Sequence, residues 1–332
     1  MSGRTASQRS MLLPLTGAAI GILFLWLAIR QVDWRAVGAA LVSISPQWLV
    51  LSFALAVAAQ TCFAARWHVL ASDHDLTFGD AFDFLAIGAM AGLVLPPRLS
   101  DVARAVAASR FRKTSATGLF GTIVVERLLD VLMLVAFGAV VSILMPVPIA
   151  LRGALATLLA IVIAAVVMLW LGQRGPLGAI GRWAGRLRGP SSRVHAWAEM
   201  FLAGTGVIRE PARIPKALAA TLVGWMCSAA AASVLLIAIA APATWFAGMF
   251  TIVVVNLAGI LPAPPAGVGV YHYAAMIGVS PWIEDDSAAF AFALISHATS
   301  ITVALTTGSV GLARKGLSVR SLRRMAEQQV AE

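Results

Sequence analysis

Three short stretches of this sequence set ionisable or polar residues into otherwise apolar surroundings. In the first, Val124-Val-Glu-Arg-Leu-Leu-Asp carries Glu126, Arg127 and Asp130. Glu126 and Asp130 share a helical face at i,i+4, and Arg127 reaches Asp130 at i,i+3. Counted from Ser115, Glu126 lies about 17 Å along a helix axis, close to the middle of a bilayer. Ionisable groups at that depth are costly and face a bundle interior or a water-filled cavity. They act either as an internal ion pair that locks helices or as a group coupled to a substrate. In the second stretch, Arg98 and Arg104 flank Asp101 just after Pro96-Pro97. A guanidinium fork matches a phosphate bidentately, and a broken helix aims free backbone N–H groups at an anion. The same arginines are also suited to pairing with Asp101, Glu126 or Asp130. In the third, Ala266-Gly-Val-Gly-Val-Tyr-His-Tyr, Gly267 and Gly269 permit close backbone approach while Tyr271 and His272 supply polar tips. His272 suits a head-group contact, a proton relay or a hydrogen bond to a neighbouring helix. His297, beside Ser296 and Thr299, reads the same way, and Gln60 and Asn256 read as interhelical glue.

The elements that must hold these residues are membrane helices. Of 332 residues 60% are hydrophobic and only 12% charged, with a mean hydropathy of +0.87. A soluble domain carries roughly twice that charge, so soluble, disordered and fibrous classes are excluded. At about 20 residues per crossing, the length allows six to eight spans. The formal charge of +10 belongs to cytoplasmic loops facing anionic lipid rather than to nucleic acid. Cys62 and Cys227 lie in apolar stretches and predict no disulfide. Apolar runs predict spans over 11–29, 47–70, 115–145, 149–171, 214–240 and 288–312, with Trp48 and Trp67 as interface anchors. An acidic loop (Asp73, Asp75, Asp80, Asp83) precedes a broken stretch, 84–108, too short on either side of its prolines to cross. It reads as a re-entrant hairpin, as does 245–278 around Pro262, Pro264 and Pro265. A basic loop at 173–213 includes a surface helix over 194–207, and a basic tail covers 313–332. In this topology all but six of the 25 Lys and Arg are cytoplasmic. Arg30, Arg35 and Arg152 fall outside, and Arg98, Arg104 and Arg127 lie within the membrane.

Leu95-Pro96 and Leu261-Pro262 stand half the chain length of 332 apart. Each half reads span, span, broken hairpin, span, which divides the chain into repeats at 11–145 and 149–312. With three crossings per repeat, the second is inverted. Paired Pro-interrupted segments of this kind point to a transporter site, and the hairpin tips are expected to meet near the midplane. No HExxH, P-loop, paired-Cys metal spacing or Gly-x-Ser-x-Gly is present, so no catalytic residue, metal or cofactor is expected.

These stretches resemble the flippase-like transmembrane family of lysylphosphatidylglycerol synthases. That family's patterns are P-x-R-x-G-D-x-x-R, V-x-E-R-x-x-D and P-G-G-x-G-x-x-E, and the likeness covers nearly the whole chain. Carried over residue by residue, it marks Arg98, Asp101, Arg104, Glu126, Arg127, Asp130, Gly267 and Gly269. Ser100 stands where the family has glycine, and His272 where it has glutamate. With no soluble aminoacyl-transferase segment, lysyl transfer to lipid is not expected. The resemblance implies handling of a phospholipid or a polyprenyl- or hopanoid-type lipid. The expectation is an all-α polytopic protein of the bacterial inner membrane: about six transmembrane helices, two re-entrant hairpins, both termini cytoplasmic. Its expected role is lipid translocation, with Tyr271 and His272 joining the marked residues at the head group and anionic lipids meeting the cytoplasmic surface. A membrane-embedded transferase or hydrolase, a non-catalytic assembly partner, and homo-oligomerisation stay open as alternatives.

Overall fold

The computed structural model describes residues 3–95, 97–145, 149–174, 205–206, 210, 212–241, 244–261 and 263–318, with side chains from Thr16 onward except at 97–98 and 169–174. Among the described residues there are eleven α-helices and no strand. They are α1 (Gly3–Ile29), α2 (Trp34–Val42), α3 (Pro46–Leu70), α4 (Phe78–Ala91), α5 (Pro97–Arg112), α6 (Ala116–Leu144), α7 (Ile149–Arg174), α8 (Arg213–Ala238), α9 (Trp245–Ala258), α10 (Val270–Val279) and α11 (Asp286–Lys315). Five are long and apolar enough to cross a bilayer: α3, α6, α7, α8 and α11. The bent pair α1–α2, with 85° between its two parts, makes a sixth. The protein is an all-α polytopic membrane protein.

Local chemistry explains the helix limits. Ser115 caps α6 by accepting from the Gly118 N–H at 3.1 Å, and Thr244 caps α9 by accepting from Ala247 N–H at 3.1 Å. Both satisfy an orphan donor of the first turn. Asp33 does the same for α2 through the Arg35 N–H at 2.9 Å, so the segment after Arg30 is helical rather than a plain loop. Pro46 and Pro97 open α3 and α5, where a missing N–H costs nothing.

Helices α4, α5, α9 and α10 hold 14, 16, 14 and 10 residues. At 1.5 Å per residue they are about 15–24 Å long, short of the ~30 Å hydrocarbon core. They pair as two helical hairpins. A Cβ on Gly88 of α4 would lie 3.2 Å from Arg104 Cβ of α5, and one on Gly278 of α10 would lie 2.7 Å from Thr251 Cα of α9. The first hairpin returns to its own side, because Asp80 in the first turn of α4 accepts from Arg112 Nε at the end of α5 at 2.7 Å.

The chain divides into two compact units, each drawing on both halves of the sequence. One comprises Met1–Ala59, Ala89–Pro97 and Trp225–Thr307; its core includes Ala28, Leu236, Ala247, Ala275, Val279 and Phe292. The other comprises Gln60–Gly88, Arg98–Gly224 and Gly308–Glu332, around Trp67, Phe84, Ile87, Ala108, Leu119 and Ile123.

Three expectations change. Asp80 and Asp83 belong to α4 and not to a loop; both are buried beside cations from α5 and α11. Trp67 is no interface anchor: it is fully buried, and its Nε1–H donates to Thr122 Oγ1 at 3.0 Å. Arg314 and Lys315 belong to the last turn of α11 and not to the tail, Lys315 meeting Asp80 at 2.5 Å and Asp83 at 3.2 Å. The expected surface helix over 194–207 falls almost wholly outside the described residues. Between helices, Arg213 of α8 grips both oxygens of Asp73 at 2.8 Å. That two-pronged bond holds the Asp73 carboxyl below its usual range.

Candidate functional site

The charges predicted along α5 and α6 come together, with one that the sequence reading passed over. Arg66, one turn before the end of α3, stands between Glu126 and Asp130. Its Nη1 lies 2.5 Å from Asp130 Oδ1 and its Nε 3.4 Å from Glu126 Oε1. Arg104 Nη2 lies 2.5 Å from Glu126 Oε2 and 3.8 Å from Asp101 Oδ1. Arg127 binds Asp101 through Nη2 at 2.8 Å and Nε at 3.1 Å, and Asp130 through Nη1 at 3.3 Å. The contacts close a ring of alternating sign: Asp101, Arg104, Glu126, Arg66, Asp130, Arg127 and back to Asp101. Three helices of one compact unit supply it, α3, α5 and α6.

Six formal charges cancel, which is how this protein keeps ions in an apolar unit without a net buried charge. Burial is graded around the ring. The Glu126, Arg66 and Arg104 side chains are 1%, 4% and 5% exposed, Asp130 and Asp101 18% and 19%, and Arg127 57%. Aromatic faces back the two buried arginines, Trp67 lying 4.3 Å from the Arg104 guanidinium and Phe63 5.0 Å from that of Arg66. Arg66 Nε, Arg104 Nε and Glu126 Oε1 are buried without a hydrogen bond among the described residues. Arg127 therefore pairs with Asp130 as the spacing predicts, while its second partner is Asp101 and not Glu126. Arg104 is already neutralised by Glu126, so its charge does not demand an outside anion. Arg98 stands in the first turn of α5, three residues before Asp101; its side chain lies outside the described part.

The second hairpin gathers the remaining candidates in the other unit. Gly269 N–H donates to His272 Nδ1 at 3.3 Å, His272 Nε2 meets His297 Nδ1 at 3.4 Å, and His297 Nε2 lies 2.9 Å from the Ala266 carbonyl. Tyr271 stacks on the His297 ring at 4.4 Å, with Ser296 and Ser300 of α11 beside it. Gly267 and Gly269 take φ of +71° and +87°, a region glycine enters without Cβ strain. A Cβ on Gly269 would fall 2.0 Å from the Gly21 carbonyl of α1, so glycine is also needed for packing. Asn256 is not interhelical glue: its amide donates to Ile252 O of its own helix at 2.8 Å.

The family described as lysylphosphatidylglycerol synthase TM region matches residues 15–308. The chain belongs to that family. Membership places this multi-pass membrane protein among proteins of lipid metabolism or translocation. A search of curated proteins finds no match. The matched span takes in every member of the charged ring and of the Tyr271–His272–His297 cluster. Among the described residues no group of three or more His, Cys, Asp or Glu stands at metal-binding geometry. What the ring offers chemically is an exposed, rigid guanidinium held by two carboxylates that an anion would have to displace.

Proposed function

We propose that this lysylphosphatidylglycerol synthase TM-family protein is a lipid translocase of the cytoplasmic membrane, moving a lipid with an anionic head group between leaflets. The observation that carries the reading is the graded, charge-neutral ring with Arg127 as its one exposed cation. A phosphate reaching Arg127 competes with Asp101 for the same fork, exchanging one bidentate pair for another. Asp101 then keeps only its 3.8 Å contact with Arg104, the longest in the ring, so α5 of the first hairpin loosens where the head group arrives. Arg98, three residues before Asp101 on the chain, adds a second guanidinium to the anion. Gly267, Gly269, Tyr271 and His272 serve the substrate through the second hairpin. The acyl or polyprenyl chains stay in the bilayer.

The two-fold order of elements supports a pair of inverted repeats: α1, α3, the α4–α5 hairpin and α6, then α7, α8, the α9–α10 hairpin and α11. We assign both termini and the basic loop at 173–213 to the cytoplasm, where they meet anionic lipid.

The test is purified protein in liposomes, with head-group sidedness followed by a membrane-impermeant reagent and products read by mass spectrometry. Movement of an unchanged phosphate-bearing lipid, lost in Arg127→Gln and reduced in Arg127→Lys, is expected. A covalently altered lipid would replace translocation by head-group chemistry. Movement unaffected by either variant would remove Arg127 from the site.

A further inference from the structure

The turn of the second hairpin is held by two imidazoles, His272 of α10 and His297 of α11, and the backbone at each end fixes which nitrogens carry hydrogen. Gly269 presents an N–H, so His272 Nδ1 must be bare to accept it. Ala266 presents a carbonyl, so His297 Nε2 must carry the hydrogen that bonds it. With both rings neutral, His272 Nε2–H then points at a bare His297 Nδ1, the contact found at 3.4 Å. The chain runs one way without a break, from Gly269 N–H through His272 and His297 to Ala266 O. Both imidazole lone pairs are occupied.

That chain clasps an unusual turn. Ala266, Gly267 and Gly269 all have positive φ, of 57°, 71° and 87°. For Ala266 this region is sterically costly. The bond to His297 holds the turn at Ala266, and His272, at the third position of α10, caps the helix by accepting from Gly269 N–H. Four residues after Gly269, Tyr273 packs on Phe24 of α1 at 5.5 Å.

We infer that the His272–His297 pair is a proton-accepting site, and that taking up a proton there releases the start of α10 from the turn that caps it. An added proton has only two places to go. On His297 Nδ1 it opposes His272 Nε2–H, donor against donor. On His272 Nδ1 it opposes the Gly269 N–H. Either way one link opens, and the proton stays on the imidazole whose acceptor role it ends. The capped form binds one proton fewer than the released form, so release is favoured as pH falls. Among the described residues the neighbours that the contacts name are uncharged: from α10 Tyr271 faces the pair, from α11 Phe290, Ser296 and Ser300 lie around it, and α1 offers Gly17 and Gly21 to the turn. The inference rests on the translocase reading only for its consequence, that the moved lipid is coupled to a proton.

The experiment places a nitroxide at Val268→Cys, on a half-exposed residue of the turn, with Cys62 and Cys227 replaced, and follows its mobility from about pH 8 to pH 5. A one-proton release changes the ratio of mobile to immobile label by about tenfold per pH unit on its steep part. His272→Asn keeps an oxygen for the Gly269 N–H, and His297→Gln keeps a donor for the Ala266 carbonyl, yet neither new side chain titrates; together they should hold the label immobile throughout, and each alone should displace the transition. A transition unchanged in both variants, or none in the parent, overturns the proton site. Should either variant fail to fold, 15N-histidine spectra of the parent decide: both rings must be Nε2–H tautomers at high pH, and an Nδ1–H tautomer at either overturns it. In liposomes a pH gradient should drive lipid movement by the parent and not by the double variant. Movement indifferent to the gradient overturns the coupling. Absence of movement under every gradient overturns the translocase reading, and the label transition still decides the proton site.

Discussion

Arg127 and Glu126 are neighbours in the chain with opposite duties, and substitution should separate them. Glu126 is buried between Arg104 and Arg66, so Glu126→Leu strands a positive charge. Breaking a buried pair this way costs about 3–5 kcal/mol, and the variant is expected to show a large drop in thermal stability in detergent. Adding Arg104→Met removes the partner charge and leaves Arg66 and Arg127 balanced by Asp101 and Asp130; most of the stability should return. Equal melting of the single and double variants would mean that the ring is not electrostatically balanced as drawn. Arg127→Gln changes a half-exposed group and is expected to melt close to the parent while losing phosphate-lipid movement. The motif residues were legible because three ions in an apolar span are conspicuous. Arg66 was not, because an arginine one turn from a span's end looks the same as one whose head snorkels to the interface. Only the fold, which brings α3 beside α6, tells the two apart. Arg104 was visible as a charge but not as a satisfied one, for the same reason.

At the scale of elements, hydropathy located the spans after the first within about three residues at each end, since each crossing needs about 20 apolar positions; the first helix begins eight residues before its predicted start. Ser115 and Thr244 are side-chain caps readable in advance, and Pro46 and Pro97 are helix starts. Helix α2 was missed because its nine residues, Trp34–Val42, are too few to cross a membrane and the apolar run before it stops at Arg30; the Asp33 cap marks its start. Asp80 and Asp83 were read as loop because their cations come from α5 and α11, far along the chain. The second hairpin offers a local test of how its turn is specified. Gly269→Ala puts a Cβ 2.0 Å from Gly21 O at a φ of +87°, so α1 and the turn must both shift. Gly267→Ala meets only Tyr271 Cβ at 3.9 Å, leaving the left-handed backbone as its cost, about 1–2 kcal/mol. The first change should abolish the capped hairpin, read by limited proteolysis near the turn, and the second should leave it protected with a modest loss of melting temperature. Equal protection in both would show that the approach of Gly21 does not fix the turn.

Over the whole molecule, sidedness follows from which helix ends are bonded to each other, and charge then says which side is which. Asp33, just before α2, donates its N–H to Ser287 at the start of α11 at 3.0 Å, so the end of α1 and the beginning of α11 share a side. Asp80 at the start of α4 meets Lys315 at the end of α11 at 2.5 Å. In the proposed topology α11, long and apolar enough to span, crosses from the side of Asp33 to that of Asp80, and α3 crosses as well. Asp73 after α3 is bonded to Arg213 at the start of α8, and Arg112 at the end of α5 to Asp80, so these ends lie together on the second side. The proposed topology then has α6 crossing out, α7 back and α8 out again, with the first hairpin returning to where it entered. The sequence between α7 and α8 carries arginines at 174, 182, 186, 188 and 193, and the proposed topology assigns that loop to the cytoplasm by the positive-inside rule. In a background without Cys62 and Cys227, a membrane-impermeant maleimide applied to intact cells should therefore label Ser43→Cys and Glu284→Cys. It should reach Ser191→Cys and Ser321→Cys only after the membrane is opened. Labelling of Ser191→Cys from outside would reverse the assignment of sides. Labelling of Ser43→Cys and Ser191→Cys from the same side would go further, breaking the proposed topology and with it the six-span architecture.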